Sequence, residues 1–381
     1  MSSRRLKVGI VAGEPSGDVL GSSLMAALQE RVDDIEFVGV GGDTMHAQGL
    51  RSLAPMDHFA VNGLVDPLLR AWPLIRLLRM LIRELASVDV LVGVDFNVFN
   101  LLLETGVRKR GVATAHYVSP SVYAWRRGRL KRIAKASDVV MTLFPFETAV
   151  YEERGLRAEF VGHPTADLFD PDIAKEQLQV AARQTLGLVD ESFVLCVMPG
   201  SRSSEIKFHF EVFLQAAKLF QEQARIPVTA LVPTKHPVAH ESWAQLKDDF
   251  ASLNVELTDA PATQVLQASD LALVKSGTGT LEAMLVKTPM VVAYRIGALT
   301  YRIVRAMMYS DYIALPNILA NKSLVPEFIQ TNATAENLAA ALIKQRNRDQ
   351  SELVQEFSGL HRTLRTNAAA RAAETVLSLI T

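Results

Sequence analysis

The feature that most constrains this chain is a rhythm. Short apolar, β-branched runs end in turn residues and are each followed by a helical pattern. In the first half the runs are Lys7–Ala12, Glu36–Val40, Val88–Val94, Ala113–Tyr117, Val139–Leu143 and Ala158–Val161. In the second half they are Phe193–Met198, Val228–Val232, Val255–Leu257, Leu271–Lys275 and Met290–Tyr294. Most are apolar on both faces, which suits parallel strands buried between two helix layers. Two series of strand–helix units predict two doubly wound α/β domains. The length of 381 residues agrees with that count, since domains of about 150–200 residues bury their own cores.

Turn residues at Asp167–Asp172 interrupt the pattern and place the boundary there. The expected division is 1–168, 169–345 and a helical tail, 346–381, that packs on the first domain. Leu338, Ala341 and Leu342 share one helical face, and a further helical pattern runs from Leu353 to Ile380. Exchange of that tail between the subunits of a homodimer is equally compatible with the pattern. Solenoid repeats and low-complexity tracts are missing from the sequence.

Charge and cysteine content exclude several classes. With 40 Lys and Arg against 41 Asp and Glu, the net charge is −1, which argues against a general nucleic-acid binder. The single Cys196 excludes a disulfide framework and a multi-cysteine metal or iron–sulfur site. The apolar run after Arg4, Arg5 and Lys7 is too short for a signal peptide and reads as a first strand. Without a stretch of roughly 18 apolar residues to span a bilayer, a cytoplasmic protein is expected. The charge is uneven, however. Leu68–Lys135 holds thirteen Lys or Arg and four Asp or Glu, a net of +9 that leaves −10 for the rest.

Ligands of open parallel sheets bind beyond the carboxyl ends of strands, so the loops there are the candidate sites. The loop after the first strand, Gly13–Gly21, spaces its glycines every fourth residue and does not match the dinucleotide fingerprint. A tight turn capped by Ser16 or Asp18 is the alternative reading. Asp95 ends the very apolar run Val88–Val94, where a carboxylate can act as a general base or cap the next helix. In Pro199–Glu205, small residues free backbone amides for an anion, and Arg202 can grip a phosphate or simply pair with Glu205 at the surface. Ser276–Ala283 is a Gly-rich turn opening a helix, a ready anion site, with Glu282 placed to hold ribose hydroxyls or to cap. Two such loops without a Walker lysine favour a nucleoside diphosphate held without a P-loop. Asp170 and Asp172 read as a turn, and no dedicated metal site is evident. His116 and His163 follow strands and are cleft candidates or structural histidines.

In Leu68–Leu85, Arg76, Arg79 and Arg83 fall on one helical face, leucines fill the remainder, and Trp72 stands near the start. That combination suits a helix lying on an anionic membrane surface, and equally a core helix with a basic wet face. Arg126, Arg127, Arg129, Lys131, Arg132 and Lys135 extend the basic surface.

Several segments resemble, in order along nearly the whole chain, the motifs of the lipid-A-disaccharide synthase family. They are Gly13–Asp18, His116–Trp125, Phe160–Pro164, Pro199–Arg202, Ser276–Glu282 and Leu315–Asn317. The resemblance implies a GT-B fold: two Rossmann-like domains facing a central cleft, donor nucleotide in the C-terminal domain and the last helix returning to the first. It implies an inverting, metal-independent and cofactor-free transfer from UDP-2,3-diacylglucosamine to 2,3-diacylglucosamine 1-phosphate (lipid X). The products would be a β-1,6 disaccharide and UDP, formed by a peripheral protein at the cytoplasmic face of the inner membrane. By the same resemblance, Asp95 deprotonates the acceptor 6-hydroxyl, and Arg202 with the helix near Thr278 stabilises the departing diphosphate. Glu282 holds the ribose, and Asn317 contacts the donor. Gly200, Ser201, Glu205, Ser276, Gly277, Gly279, Thr280 and Tyr294 complete the donor side; Glu14, Ser16, Asp18, His116 and Ser119 line the acceptor side. The chain departs from the family pattern at Asn97, where Pro is usual, and at Asn62 and Asp66, where Met and Glu are usual. A UDP-sugar 2-epimerase-like enzyme is the alternative on the same scaffold.

Overall fold

A computed structural model describes residues 5–56, 67–120, 127–188, 192–307 and 310–380. The departures at Asn62 and Asp66, and the segment 121–126 with Trp125 and Arg126, lie outside the described residues. The chain forms two compact units, Met1–Asp167 with Leu364–Thr381, and Leu168–Thr363.

The first unit carries β1 (Leu6–Ala12), β2 (Ile35–Val40), β3 (Arg51–Ser52), β4 (Val90–Val94), β5 (Ala113–Tyr117), β6 (Val139–Thr142) and β7 (Ala158–Phe160). They form a parallel seven-stranded sheet in the order β3-β2-β1-β4-β5-β6-β7. The two-residue period of a strand divides its side chains between two helix layers. Val8, Ile10, Ala12, Val90, Val92 and Val94 join Leu24 and Leu28 of the helix Pro15–Gln29 on one face. Val11 and Leu91 point the other way, to Leu81, Leu103 and Val107. Both faces are therefore dry, as the apolar runs predict.

The helix Ala368–Leu377 completes the first layer by inserting Ala372, Ala373 and Val376. Its entry is fixed from a distance, because Asp167 accepts from Asn367 N at 3.0 Å and from Ala368 N at 2.7 Å. The tail is thus divided. Leu364–Thr381 belong to the first unit, whereas 346–363 belong to the second. There the helix Ser351–Leu364 pairs Glu356 with Lys322 and Arg362 with Asp172, which ties it to the second unit.

The second unit carries β8 (Phe193–Met198), β9 (Val228–Pro233), β10 (Asn254–Thr258), β11 (Leu271–Lys275), β12 (Met290–Tyr294) and β13 (Glu327–Ile329). Its parallel sheet runs β10-β9-β8-β11-β12-β13. Ile206, Phe210, Phe213, Ala217 and Phe220 form one stripe of the helix Ser203–Ala224. They pack on Leu195, Val197, Leu338 and Leu342. In each sheet the strand order reverses once, between β1 and β4 and between β8 and β11, and such reversals open a crevice for ligands.

Candidate functional site

In the first unit the loops after β1 and β4 flank the reversal in strand order. Glu14 and Ser16 are exposed there. Asp18 is not: it is 5% exposed, and it accepts from Gly42 N, Thr44 N, Thr44 Oγ1 and Met45 N at 2.7–3.1 Å. Its carboxylate caps the helix Asp43–Ala47 from across the layer, so the acceptor-side role expected of Asp18 gives way to a brace. Burial raises its pKa, yet these hydrogen bonds outweigh that and hold it below the ordinary 3.8. A carboxyl depressed on folding contributes stability above its unfolded pKa and loses it as pH falls through the folded value. Asp18→Ala should therefore cost about 1.5–3 kcal/mol near neutrality. Thermal unfolding of the variant between pH 6 and pH 2 should show a shallower acid decline than the parent.

Asp95 and Phe96 follow β4 with φ of 47° and 45°, a left-handed pair that non-glycine residues rarely adopt. Asn100 holds this turn, donating from Nδ2 to the carbonyls of Val11, Val94 and Asp95 at 2.9–3.2 Å. Asn97 takes the first position of the helix Asn97–Arg108, where Pro is also well accommodated. Asp95 is part-buried, and burial lifts its pKa; the His116 charge and the Phe96 amide pull it back without cancelling the rise.

His116, on β5, is fully buried. Its Nδ1 lies 2.7 Å from Glu104 Oε1, and Ser137 Oγ donates to Glu104 Oε2 at 2.7 Å. Burial opposes the imidazolium, but Glu104 and then Asp95 overcome it and raise the His116 pKa. Gly93 makes the contact possible, because a Cβ there would stand 2.0 Å from Glu104 Oε1. Glu104 escaped the sequence reading: as a lone acid in an apolar helix it is conspicuous only once the helix is laid on the sheet.

Ser119 is also buried, with Oγ 2.7 Å from the Tyr151 hydroxyl and 3.0 Å from Pro120 O. Burial pushes neighbouring Glu147 up to about 8, partly offset by the Phe144 amide, Ser119 and the Leu143 amide. His163 is likewise internal; burial lowers it to about 4, and Nδ1 accepts from Thr165 N at 3.2 Å.

The second unit holds an open cavity of about 810 Å³ where β8, β9 and β11 end. Of the residues named for the donor side, Gly200, Ser201, Arg202, Glu205, Gly277, Thr278, Gly279 and Glu282 line it. Three helices start at its wall, Ser203–Ala224, Pro237–Leu246 and Thr278–Leu285. Their dipoles favour an anion, although His236 takes the Val238 and Ala239 amides of the second helix and Gly277 O takes the Thr280 amide of the third. Gly277 caps the third helix at φ 152°, a conformation that favours glycine. Arg202 is largely exposed, 3.7 Å from Glu205 Oε1. Burial raises the Glu282 pKa.

Sequence reasoning missed Lys275 and the Thr234–His236 loop, which also line the cavity. The loop after β9 obeys the same carboxyl-end rule as the others, but it lacks a glycine pattern to draw attention. Lys275 Nζ pairs with Glu205 Oε1 at 2.8 Å and sits 5.5 Å from the Tyr294 ring centre. Glu205 also accepts from Ser201 N at 3.1 Å, so an internal carboxylate occupies an amide expected to face a ligand anion. Its pKa stays below the ordinary value because Lys275 and the Ser201 amide outweigh burial.

Three expected donor residues turn inward instead. Ser276 Oγ donates to Ile313 O at 2.7 Å, and Thr280 Oγ1 donates to Gly277 O while accepting from Leu315 N. Asn317 is fully buried; Nδ2 donates to Val325 O and Glu327 Oε1, and Oδ1 accepts from Leu324 N and Val325 N. Its amide is saturated by the loop that it folds, which leaves no donor or acceptor for a ligand.

The helix Pro67–Glu84 buries Leu81 and packs Leu74, Leu77 and Leu78 against the first unit's core. Arg76, Arg79 and Arg83 remain exposed, with Trp72 at 66% and Ile75 at 41%. Leu81 thus belongs to the interior, Leu74, Leu77 and Leu78 are half-buried against it, and Leu74 and Leu77 also line an open cavity of about 900 Å³ with Trp72, Pro73, Arg76 and Arg79. Among the described residues, no helix is long and apolar enough to cross a membrane.

A family model described as lipid-A-disaccharide synthetase matches residues 8–380. Lipid-A-disaccharide synthase of Pseudomonas aeruginosa is 45% identical over 377 residues, covering 98% of both chains. That of Azotobacter vinelandii is 44% identical over 379 residues, again with 98% coverage of both. Among solved structures, MurG of Acinetobacter baumannii superposes with a TM-score of 0.62 at 12% identity, over 98% of this chain and 99% of that one. The UDP-GlcNAc 2-epimerase of Methanocaldococcus jannaschii gives 0.60 at 14% identity, with the same coverage. These structural likenesses establish the pair of Rossmann-like domains of the GT-B class.

Proposed function

This chain belongs to the lipid-A-disaccharide synthase family of glycosyltransferases, and from that membership we propose the reaction it performs. UDP-2,3-diacylglucosamine donates its sugar to the 6-hydroxyl of 2,3-diacylglucosamine 1-phosphate, with inversion and without a metal, giving the β-1,6 disaccharide and UDP. The observation that carries this reading is similarity at 45% identity across 98% of the chain.

The residue roles follow from the two crevices. Asp95 takes the proton of the acceptor hydroxyl, whose oxygen then bonds the anomeric carbon of the donor. The bond from that carbon to the diphosphate breaks, and its electron pair leaves with UDP. Arg202 and the helix starting at Thr278 receive the developing charge, supported by their place on the wall of the second unit's cavity. Lys275 joins them if the incoming diphosphate replaces Glu205 as its partner, and Glu282 holds the ribose. The test is UDP release in mixed micelles with and without the acceptor. Acceptor-dependent release with a disaccharide product is expected; release without acceptor would overturn the reading in favour of an epimerase-like or hydrolytic enzyme.

The protein associates peripherally with an anionic membrane surface through Trp72, Ile75, Arg76, Arg79 and Arg83. Near such a surface each arginine contributes about 1 kcal/mol. Replacing the three arginines with glutamine should then weaken binding to anionic vesicles by about 10²-fold at low salt, and by less as salt screens the charges. A binding curve unmoved by the triple replacement would remove this helix from the interface.

A further inference from the structure

We propose that Glu104 and His116 form a buried positioning pair that keeps the Asp95 carboxylate ionised for its encounter with the acceptor hydroxyl. The inference rests on the assignment of Asp95 as the base and deepens it. Three elements converge: Asp95 beyond β4, His116 on β5 and Glu104 on the helix Asn97–Arg108. In the strand register Gly93 stands beside His116, and the gap left by its missing side chain admits Glu104. His116 and Glu104 side chains are both wholly shielded from solvent at 2.7 Å, with Ser137 as a second partner for the carboxylate.

A buried ion pair of this kind is a weak source of stability, because desolvation offsets its attraction. Its placement explains it better. Asp95 sits where burial disfavours its charged form, and a part-buried base that stays protonated cannot accept a proton. Asp95 N donates to Tyr117 O at 2.8 Å, which holds Asp95 beside His116 across the β4–β5 register. In that place an imidazolium at His116 lowers the Asp95 pKa, and Glu104 and then Asp95 raise that of His116. Remove Glu104 and burial returns His116 to neutrality, so the cation that favours the Asp95 carboxylate is lost. Glu104 touches no substrate in this scheme; it acts through His116.

The sign of the effect is fixed. A neutral His116 lets the Asp95 pKa climb further, so the acid limb of the rate profile moves to higher pH. For Glu104→Gln, an isosteric change, we expect that limb to rise by about one unit or more, the usual size of an opposite-charge effect. The alkaline plateau should be largely retained. His116→Asn should produce the same displacement, and adding Glu104→Gln to it should change nothing more, because one acts through the other. Should Glu104→Gln fold poorly, Ser137→Ala removes a single hydrogen bond and should shift the limb the same way by less.

The experiment is kcat/KM for acceptor-dependent UDP release from pH 5 to 9 in these variants and in Asp95→Asn, with imidazole NMR of His116. The expected result is an Asp95→Asn slowed by about 10²–10⁴, displaced limbs for the others and a His116 imidazolium that loses its proton at lower pH in Glu104→Gln. An unmoved limb with a lower plateau, or additive effects in the double variant, would overturn the pair's role while leaving Asp95 as base. An Asp95→Asn that kept the parent rate would overturn the base assignment, and the pair's role with it.

Discussion

Asp95→Asn should lower the rate of disaccharide formation by about 10²–10⁴, the contribution of a well-placed general base. UDP binding should stay unchanged. The amide has the size of the carboxylate, so the left-handed turn at Asp95 and Phe96 and its clamp by Asn100 should persist. What disappears is an acceptor for the hydroxyl proton. The cavity proposed for the nucleotide is lined by residues of the second unit, whereas Asp95 belongs to the first, so the substitution should separate binding from chemistry. Calorimetric titration with UDP beside a rate measurement makes the comparison. Equal loss of both would mean that the substitution has damaged the fold rather than the proton transfer.

Arg202→Ala should cost about 10²–10³ in kcat, the usual loss when one donor to developing charge is removed. Arg202 stands at the mouth of the cavity, largely in solvent, and its 3.7 Å approach to Glu205 contributes little to stability. Its replacement should therefore leave the melting temperature within experimental error, which distinguishes it from Asp18→Ala. Arg202→Lys should recover only part of the rate, because an ammonium cannot span two phosphate oxygens in the manner of a guanidinium. If the alanine variant kept full kcat with a raised KM, Arg202 would be a binding group alone.

The parallel strands were legible because their residues are apolar on both faces. Ala113–Tyr117, Phe193–Met198, Leu271–Lys275 and Met290–Tyr294 carry the bounds expected of them. β3 and β13, of two and three residues, are too short to show any period and were not seen. The glycine loops were legible as strand-end turns for the same local reason, and residues of the two in the second unit line its cavity. Polar residues close to them were read less well, because their fates are decided by distant partners. Asp18 answers to amides at 42–45, Asn317 to a loop at 324–327, and Ser276 to the carbonyl of Ile313. Lys275 and Glu104 were missed for the converse reason: each is unremarkable among its sequence neighbours and acquires meaning from a partner on another element, Glu205 at a separation of 70 residues and His116 at 12.

The helix Ala368–Leu377 carries one further consequence. Its residues Ala372, Ala373 and Val376 belong to the core of the first unit, yet they are separated from it by Leu168–Thr363. A ribosome making this chain releases the first sheet long before it releases the helix that covers part of one face. During that interval an apolar strip beside Leu24 and Leu28 stays open to water, to chaperones and to other nascent chains. The second unit, encoded without interruption, can close while still tethered. The first can close only after the whole of the second has been made.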